Sequence, residues 1–410
     1  MTEQSASGSD RAVEDGLDIH LEKFLAMLAA AGYVETTQHE KQRLIVPFIR
    51  WAGEAGFEGA DLDERRVAAF LSRPSRRRWH HGDSERIALH QFLDHLREVG
   101  VSPLRRPVEP SSDEVLVCRY LEHLRGHRGL CPRSIEVYEP FVRAFVTTQR
   151  LPERLDALDA PAVRAQLLDY SRSHSISSVK LLTAALRSFL RFLFLSGATA
   201  ADLSVAVLPV RRWRLATVPP FLTAEEVERA IAVTDRSTAR GRRAAAVLLL
   251  LARLGLRAGE VVALELDDIH WDVGEILVHG KGRVHDRLPL PDDVGEALAL
   301  YLRESRGPSS SRSVFLRRCA PHVGLSGPTA VCLIAREAVR GAGLRPKGRV
   351  GAHIFRHSLA RRMLQRGASL GEISQVLRHR SIEATQLYAK VEFEALGSVA
   401  RPWPVAGVHP

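Results

Sequence analysis

Cysteine is scarce in this chain, and the few present are badly placed for chemistry. Cys118, Cys131, Cys319 and Cys332 form no CxxC pair and have no histidines at ligand spacing. A disulfide framework and a zinc site are therefore not expected, and the thiols should be free. Nothing in the chain reads as a P-loop or as an acidic metal cluster, so no cofactor and no metal is expected. Aromatic residues make up only 6%, which leaves aliphatic helix packing to build the interior. The longest apolar run, Ala244–Ala252, is far short of the roughly 20 residues that span a bilayer. The opening MTEQSASGSDRAVEDGLD lacks the apolar stretch of a signal peptide. These absences predict a soluble, cytoplasmic protein without a membrane partner.

What the chain does have is length, apolar material and positive charge. With 410 residues, 45% of them hydrophobic, it exceeds one ordinary core, and two or three domains are expected. Lysine and arginine total 58 against 48 acidic residues, a formal charge of +10. That balance favours a polyanionic partner, nucleic acid first.

Read in order, residues 1–16 are predicted to be a disordered leader, and 17–104 carry helical periodicity. The chain then repeats itself. Gly32, Leu44, Ile45, Phe48, Ala88, Leu89, Phe92, Leu93 and Gly100 recur 97 positions later as Gly129, Phe141, Val142, Phe145, Ala185, Leu186, Phe189, Leu190 and Gly197. With a one-residue gap, Leu62 and Val67 match Leu158 and Val163. This pattern predicts two copies of one small helical bundle, the second at 112–204, joined by the proline-rich RRPVEPSS. A basic linker at 205–222, with Arg211, Arg212, Arg214 and Pro219-Pro220, marks a domain boundary. After it, Thr223-Ala-Glu-Glu226 and Ser369-Leu-Gly-Glu372 are capping boxes. Glu275–His279 and 283–290 flank Gly280-Lys281-Gly282 and read as a β-hairpin with a lysine at its tip. The predicted fold class is mainly α, with one small antiparallel sheet in the C-terminal domain, and several domains in all.

The stretch HIFRHSLARRMLQRGASLGEISQVLRHRSIEATQLY, from His353 to Tyr388, sets basic groups among residues that should be core. Guanidinium forks match phosphate oxygens and imidazole can donate to one or move a proton, so a phosphate site would explain it. A tyrosine there could be the nucleophile. Taken singly, the pieces are ordinary: Arg257 and Glu260 in GLRAGE as a helical ion pair, Lys281 as an exposed turn residue, Tyr388 as packing. Their order and spacing together are not.

GLRAGE, the GKG hairpin, HIFRH, LRH and a tyrosine nine residues after His379 resemble the tyrosine recombinases, the phage integrase family. The likeness to the catalytic domain covers 217–400, with 401–410 as a tail, and 112–204 resembles the family's helical core-binding domain. Residues 17–104 would then be a second copy of that module. The resemblance implies a multidomain clamp on double-stranded DNA and no cofactor. It implies that Arg257, Lys281, His353, Arg356, His379 and Tyr388 are catalytic, with Glu260 and His357 orienting them. Arg187, Arg191, Arg211, Arg212, Arg214, Arg283 and Arg378 are the expected DNA contacts. It further implies a 3′-phosphotyrosyl intermediate, a homotetramer on synapsed DNA with or without sister recombinases, and a nucleoid-associated, mobile-element role in integration, excision or transposition. Three positions depart from the family's usual pattern: Arg378 where glycine is common, Ala384 for threonine and Phe355 for leucine. If the family glycine has positive φ, Arg378 costs about 1 kcal/mol there, unless it adds a phosphate contact.

Two rival readings remain at this level. One is a type IB topoisomerase-like relaxer using the same chemistry as a monomer. The other is a DNA-binding regulator whose site is idle.

Overall fold

A computed structural model describes residues 7–73, 82–105, 110–151, 153–210, 219–280 and 285–379. The chain divides into two compact units, one of residues 1–103 with 215–410 and one of residues 104–214. Among the described residues, the elements are helices joined by short turns plus one three-stranded sheet.

The unit of residues 104–214 is an α-helical bundle: α5 (Ser112–Gly126), α6 (Pro132–Gln149), α7 (Ala160–Ser173) and α8 (Ile176–Leu195). These are numbered after the α1–α4 of the other unit. Side-chain caps start three of them: Ser111 Oγ accepts from Glu114 N at 3.2 Å, Asp159 from Ala162 N at 2.8 Å and Ser175 from Ser178 N at 3.3 Å. Each satisfies a backbone donor that the first helical turn cannot. Val142, Phe145, Ala185, Leu186, Phe189 and Leu190 are fully buried in one core. Ala206 and Val207 join that core, so the start of the stretch expected to be linker belongs to the bundle: its apolar residues gain more by burial than by solvation.

The other unit opens with α1 (Ser7–Ala30), α2 (Glu35–Glu54), α3 (Glu64–Leu71) and α4 (Gly82–Glu98). Helix α1 begins inside the leader predicted to be disordered. Burial of Leu17, Leu21, Phe24 and Leu28 anchors the helix, and extending an existing helix costs less than nucleating one. The residues paired by the 97-position repeat take matching places. Phe48, Ala88, Leu89 and Phe92 are fully buried, as are Phe145, Ala185, Leu186 and Phe189. A 3₁₀ turn falls between the second and third helix of each set, at Gly59–Asp61 and Leu155–Ala157. Positive φ recurs too, at Gly32 (84°) and Gly129 (56°) and at Gly100 (74°) and Gly197 (72°). Residues 1–103 group with 215–410 instead of standing apart. At that junction the His322 ring lies against Gly32, an approach that a side chain at position 32 would block.

The rest of this unit runs α9 (Ala224–Ala232), α10 (Ala239–Arg253), α11 (Ala258–Val262), β1 (Ile269–His270), β2 (Glu275–His279), β3 (His285–Pro289), α12 (Asp292–Glu304), α13 (Pro328–Gly341), α14 (His353–Gln365) and α15 (Leu370–Val376). Helix α10 is buried continuously from Ala245 to Ala252, the mark of a helix surrounded by others, and α9, α12, α13 and α14 pack on it. The predicted capping boxes form: Thr223 with Glu226, and Ser369 N to Glu372 Oε2 at 2.7 Å. The hairpin is antiparallel with Ile276 opposite Leu288 and His279 opposite His285. Alternation of Ile276 and Val278 toward the core fixes its register. Ser358 Oγ on α14 accepts from Leu222 N at 2.7 Å and donates to Ile354 O at 2.8 Å, pinning the segment that leads into α9 to α14.

Gly255 closes α10 at φ 58°, and a Cβ there would lie 2.8 Å from Leu377 Cδ2 and 3.0 Å from Leu359 Cδ2. Gly255→Ala should therefore lower the unfolding free energy by about 2–4 kcal/mol, read as a shift in the urea midpoint at unchanged slope.

Candidate active site

Arg257 stands at the N-cap of α11. Its backbone N–H donates to Glu260 Oε2 at 2.9 Å and its Nη1 to Glu260 Oε1 at 2.6 Å. Its Nη2 reaches the carbonyl of Arg378 at 3.1 Å. Arg356, on the first turn of α14 and 3% exposed, donates from Nη1 to Gly255 O and from Nη2 to Leu377 O. Two arginines about a hundred residues apart in sequence thus grip consecutive carbonyls, those of Leu377 and Arg378. His379 is the next residue. Local order at this turn comes from Leu359, Ala360, Ile373 and Leu377, which form a small core between α14 and α15.

Three histidines gather around these arginines. His353 and His357, one helical turn apart on α14, place their rings 6.1 Å apart. Burial is the first cause that depresses His357, to about 4, with the neighbouring His353, Arg356 and His379 adding to it. His379 is likewise depressed to about 4 by burial and then by Arg356, Arg257 and Arg378. His353 is open at the surface, yet partial desolvation and the charges of Arg356 and Arg257 hold it below the ordinary value. All three imidazoles are therefore neutral at neutral pH, each able both to donate and to accept. Glu260 is 6% exposed. Burial alone would raise its carboxyl, but the Arg257 backbone hydrogen bond and the Arg378 and Arg257 guanidiniums outweigh it and hold it below the usual range. Among the described residues, no cluster of three His, Cys, Asp or Glu is arranged to hold a metal ion.

The structure thus brings together Arg257, Glu260, His353, Arg356, His357 and His379. Lys281, Arg283 and Tyr388 lie outside the described residues, as do Arg211, Arg212 and Arg214. Arg378, expected on DNA, turns inward. It has φ 53°, and its side chain, 8% exposed, pairs with Glu260 Oε2 at 2.8 Å. The buried carboxylate draws the guanidinium in because an unpaired charge there would be costly. Arg187 donates to Val207 O at 2.7 Å and Arg191 pairs with Asp202. Both line an open groove of about 880 Å³ in the helical bundle, together with Arg128 and Arg133. The sequence reading did not single out those last two. It also missed Asp268, whose buried carboxylate meets His279 Nε2 at 2.7 Å while His279 Nδ1 meets His285 Nδ1 at 2.8 Å. That chain ties down the two strands leading to Lys281. Only the pairing of β1, β2 and β3 juxtaposes these residues, so no local motif announces them.

Comparison with known proteins identifies the family. Residues 220–395 match the Phage integrase family and residues 117–197 match the Phage integrase, N-terminal SAM-like domain. Protein y4rA of Sinorhizobium fredii, named as an integrase/recombinase, is 37% identical over 402 residues, 96% of either chain. The tyrosine recombinase XerC of Azotobacter vinelandii is 31% identical, over 68% of this chain and 92% of its own. In fold, the chain is similar to the XerH site-specific recombinase solved bound to palindromic difH substrate. The TM-score is 0.57 and the identity 18%, over 73% of this chain and 99% of XerH. The chain belongs to the phage integrase family, the tyrosine-type site-specific DNA recombinases. Among the described residues, no helix is long and apolar enough to cross a membrane.

The depressed histidines carry a pH signature. His357 and His379 sit at about 4 when folded against an ordinary 6.5. Between those values the unfolded chain binds more protons than the folded one, so stability rises with pH across this window and levels off above it. The urea midpoint should be lower at about pH 5 than at about pH 7.5, and His357→Gln should shrink the difference.

Proposed function

We propose that this protein is a DNA strand-exchange enzyme that cleaves and rejoins duplex DNA through a 3′-phosphotyrosyl intermediate on Tyr388. We read its biological role as integration, excision or transposition of a mobile element at the nucleoid. The observation that carries the reading is the gripping of the Leu377 and Arg378 carbonyls by Arg356 and Arg257, which gathers two guanidiniums and His379 at one point. Each guanidinium is a planar fork of N–H donors, and contacts to the protein fix its orientation.

A tyrosine phenol has a pKa of about 10, so about one in a thousand is ionised at neutral pH. It needs a base. Neutral His353 takes the phenolic proton as the Tyr388 oxygen attacks phosphorus. The bond from phosphorus to the 5′-oxygen then breaks, and Lys281 protonates that oxygen. Arg257 and Arg356 clamp the two non-bridging oxygens, more strongly as charge builds in the pentacoordinate transition state. His379 donates to one of the same oxygens. Glu260 and His357 orient these groups. The phosphotyrosyl bond conserves the phosphodiester's energy, so a 5′-hydroxyl from a second strand can attack it and regenerate Tyr388. Exchange between two duplexes calls for four active sites, which is the ground for proposing a homotetramer, with sister recombinases as the possible other members. Arg187 and Arg191, with Arg211, Arg212, Arg214 and Arg283, serve the DNA backbone, where such contacts fix register more than sequence.

With a nicked suicide duplex built from the DNA flanking the gene, the wild-type chain should form a covalent adduct. Tyr388→Phe should bind this duplex with unchanged affinity and form none. Persistent capture by Tyr388→Phe would overturn the assignment. Arg356→Lys should slow adduct formation by about a hundredfold or more, since a point charge cannot replace a fork.

A further inference from the structure

We propose that Arg378 is a positioning residue of the active site: its guanidinium shares the Glu260 carboxylate with Arg257, and so holds Arg257 in place while leaving that arginine's charge available to the scissile phosphate. This rests on the reading of Arg257 as a phosphate clamp.

Arg378 meets Arg257 by two routes. Its carbonyl accepts from Arg257 Nη2 at 3.1 Å, and its Nη2 donates to Glu260 Oε2 at 2.8 Å. Glu260 in turn holds Arg257 through Nη1 at 2.6 Å and through the backbone N–H at 2.9 Å. The three residues close a ring. The Glu260 and Arg378 side chains are only 5% and 8% exposed, so water screens this ion pair little. A buried carboxylate with one cationic partner would neutralise it. With two, the triad keeps a net positive charge, and Arg257 remains an electrophilic clamp. Arg378 Nε also lies 3.8 Å from Asp286 Oδ2 on β3, linking the ring to the strand that leads from Lys281.

The backbone argues that the side chain is there for a reason. Arg378 has φ 53°, where glycine is at ease and a residue with a Cβ is strained. A bystander at this position would be better replaced by glycine. The side chain's buried contact with Glu260, the carboxylate that holds the arginine clamp, offsets that strain.

Arg378→Gly separates the possibilities because it relieves the backbone while removing the guanidinium. On the nicked duplex from the flanking DNA, this variant should keep wild-type affinity and the wild-type slope of binding against salt. It should form the covalent adduct between about tenfold and a hundredfold more slowly, as expected when a reacting group loses its placement. Glu260→Gln should slow adduct formation comparably, and the double variant should be no slower than the slower single one, since both break the same ring. Arg378→Lys should fall between wild type and Arg378→Gly. It also supplies the reading if Arg378→Gly, followed by its urea midpoint, fails to fold. Adduct formation by Arg378→Gly at the wild-type rate would overturn the proposal. So would weaker binding with a salt slope reduced by about one, the sign of a lost phosphate contact. A wild-type chain that forms no adduct would instead bring down the phosphotyrosyl reading, and this proposal with it.

Discussion

The carbonyls of Leu377 and Arg378 are the fixed point of the catalytic unit. They are acceptors at a helix end, where backbone oxygens lack partners within the helix, and Arg356 and Arg257 supply the donors. Two elements far apart in sequence, α11 and α14, are thereby tied to the end of α15. The tie requires Gly255, whose carbonyl takes the other arm of Arg356 and whose missing side chain lets Leu359 and Leu377 close in. An arginine as buried as Arg356 would be costly if its donors were idle. Here its hydrogen bonds make it a structural strut.

Electrostatics follow from the same geometry. Arg257 and Arg378 share one carboxylate, Glu260, and after burial the positive charge of neighbouring arginines, Arg356 among them, lowers His353, His357 and His379 further. The site is cationic, and burial together with that charge keeps its histidines neutral. Neutral imidazole is the form that can take a phenolic proton. Under the proposed function, one arrangement of charges would serve both the binding of a phosphodiester and the activation of the nucleophile that attacks it.

Features governed by neighbouring residues were legible in the sequence. The capping boxes at Thr223 and Ser369 depend on side chains three positions away, and the β2 strand on simple alternation. The apolar positions that recur at a 97-residue spacing were legible, and most are buried in both bundles. What escaped detection depends on closure of the fold. Arg378 read as a DNA contact because a basic residue beside His379 suggests a phosphate, yet its partner Glu260 lies 118 positions away. Asp268 and His279 meet only because β1 turns back on β2. The helix start at Ser7 and the grouping of residues 1–103 with the C-terminal unit also reflect packing that local composition does not encode.

The two helical bundles also differ in charge at positions that the 97-residue spacing pairs. Arg187 and Arg191 of α8 line the groove of the second copy, and the same two places on α4 hold His90 and the exposed Asp94, which pairs with Arg97. Where one bundle carries two guanidiniums, the other carries an imidazole and a carboxylate. Should α8 track a phosphate backbone as proposed, α4 would offer it no matching pair of guanidiniums, and a second bundle would not mean a second set of such contacts through this helix.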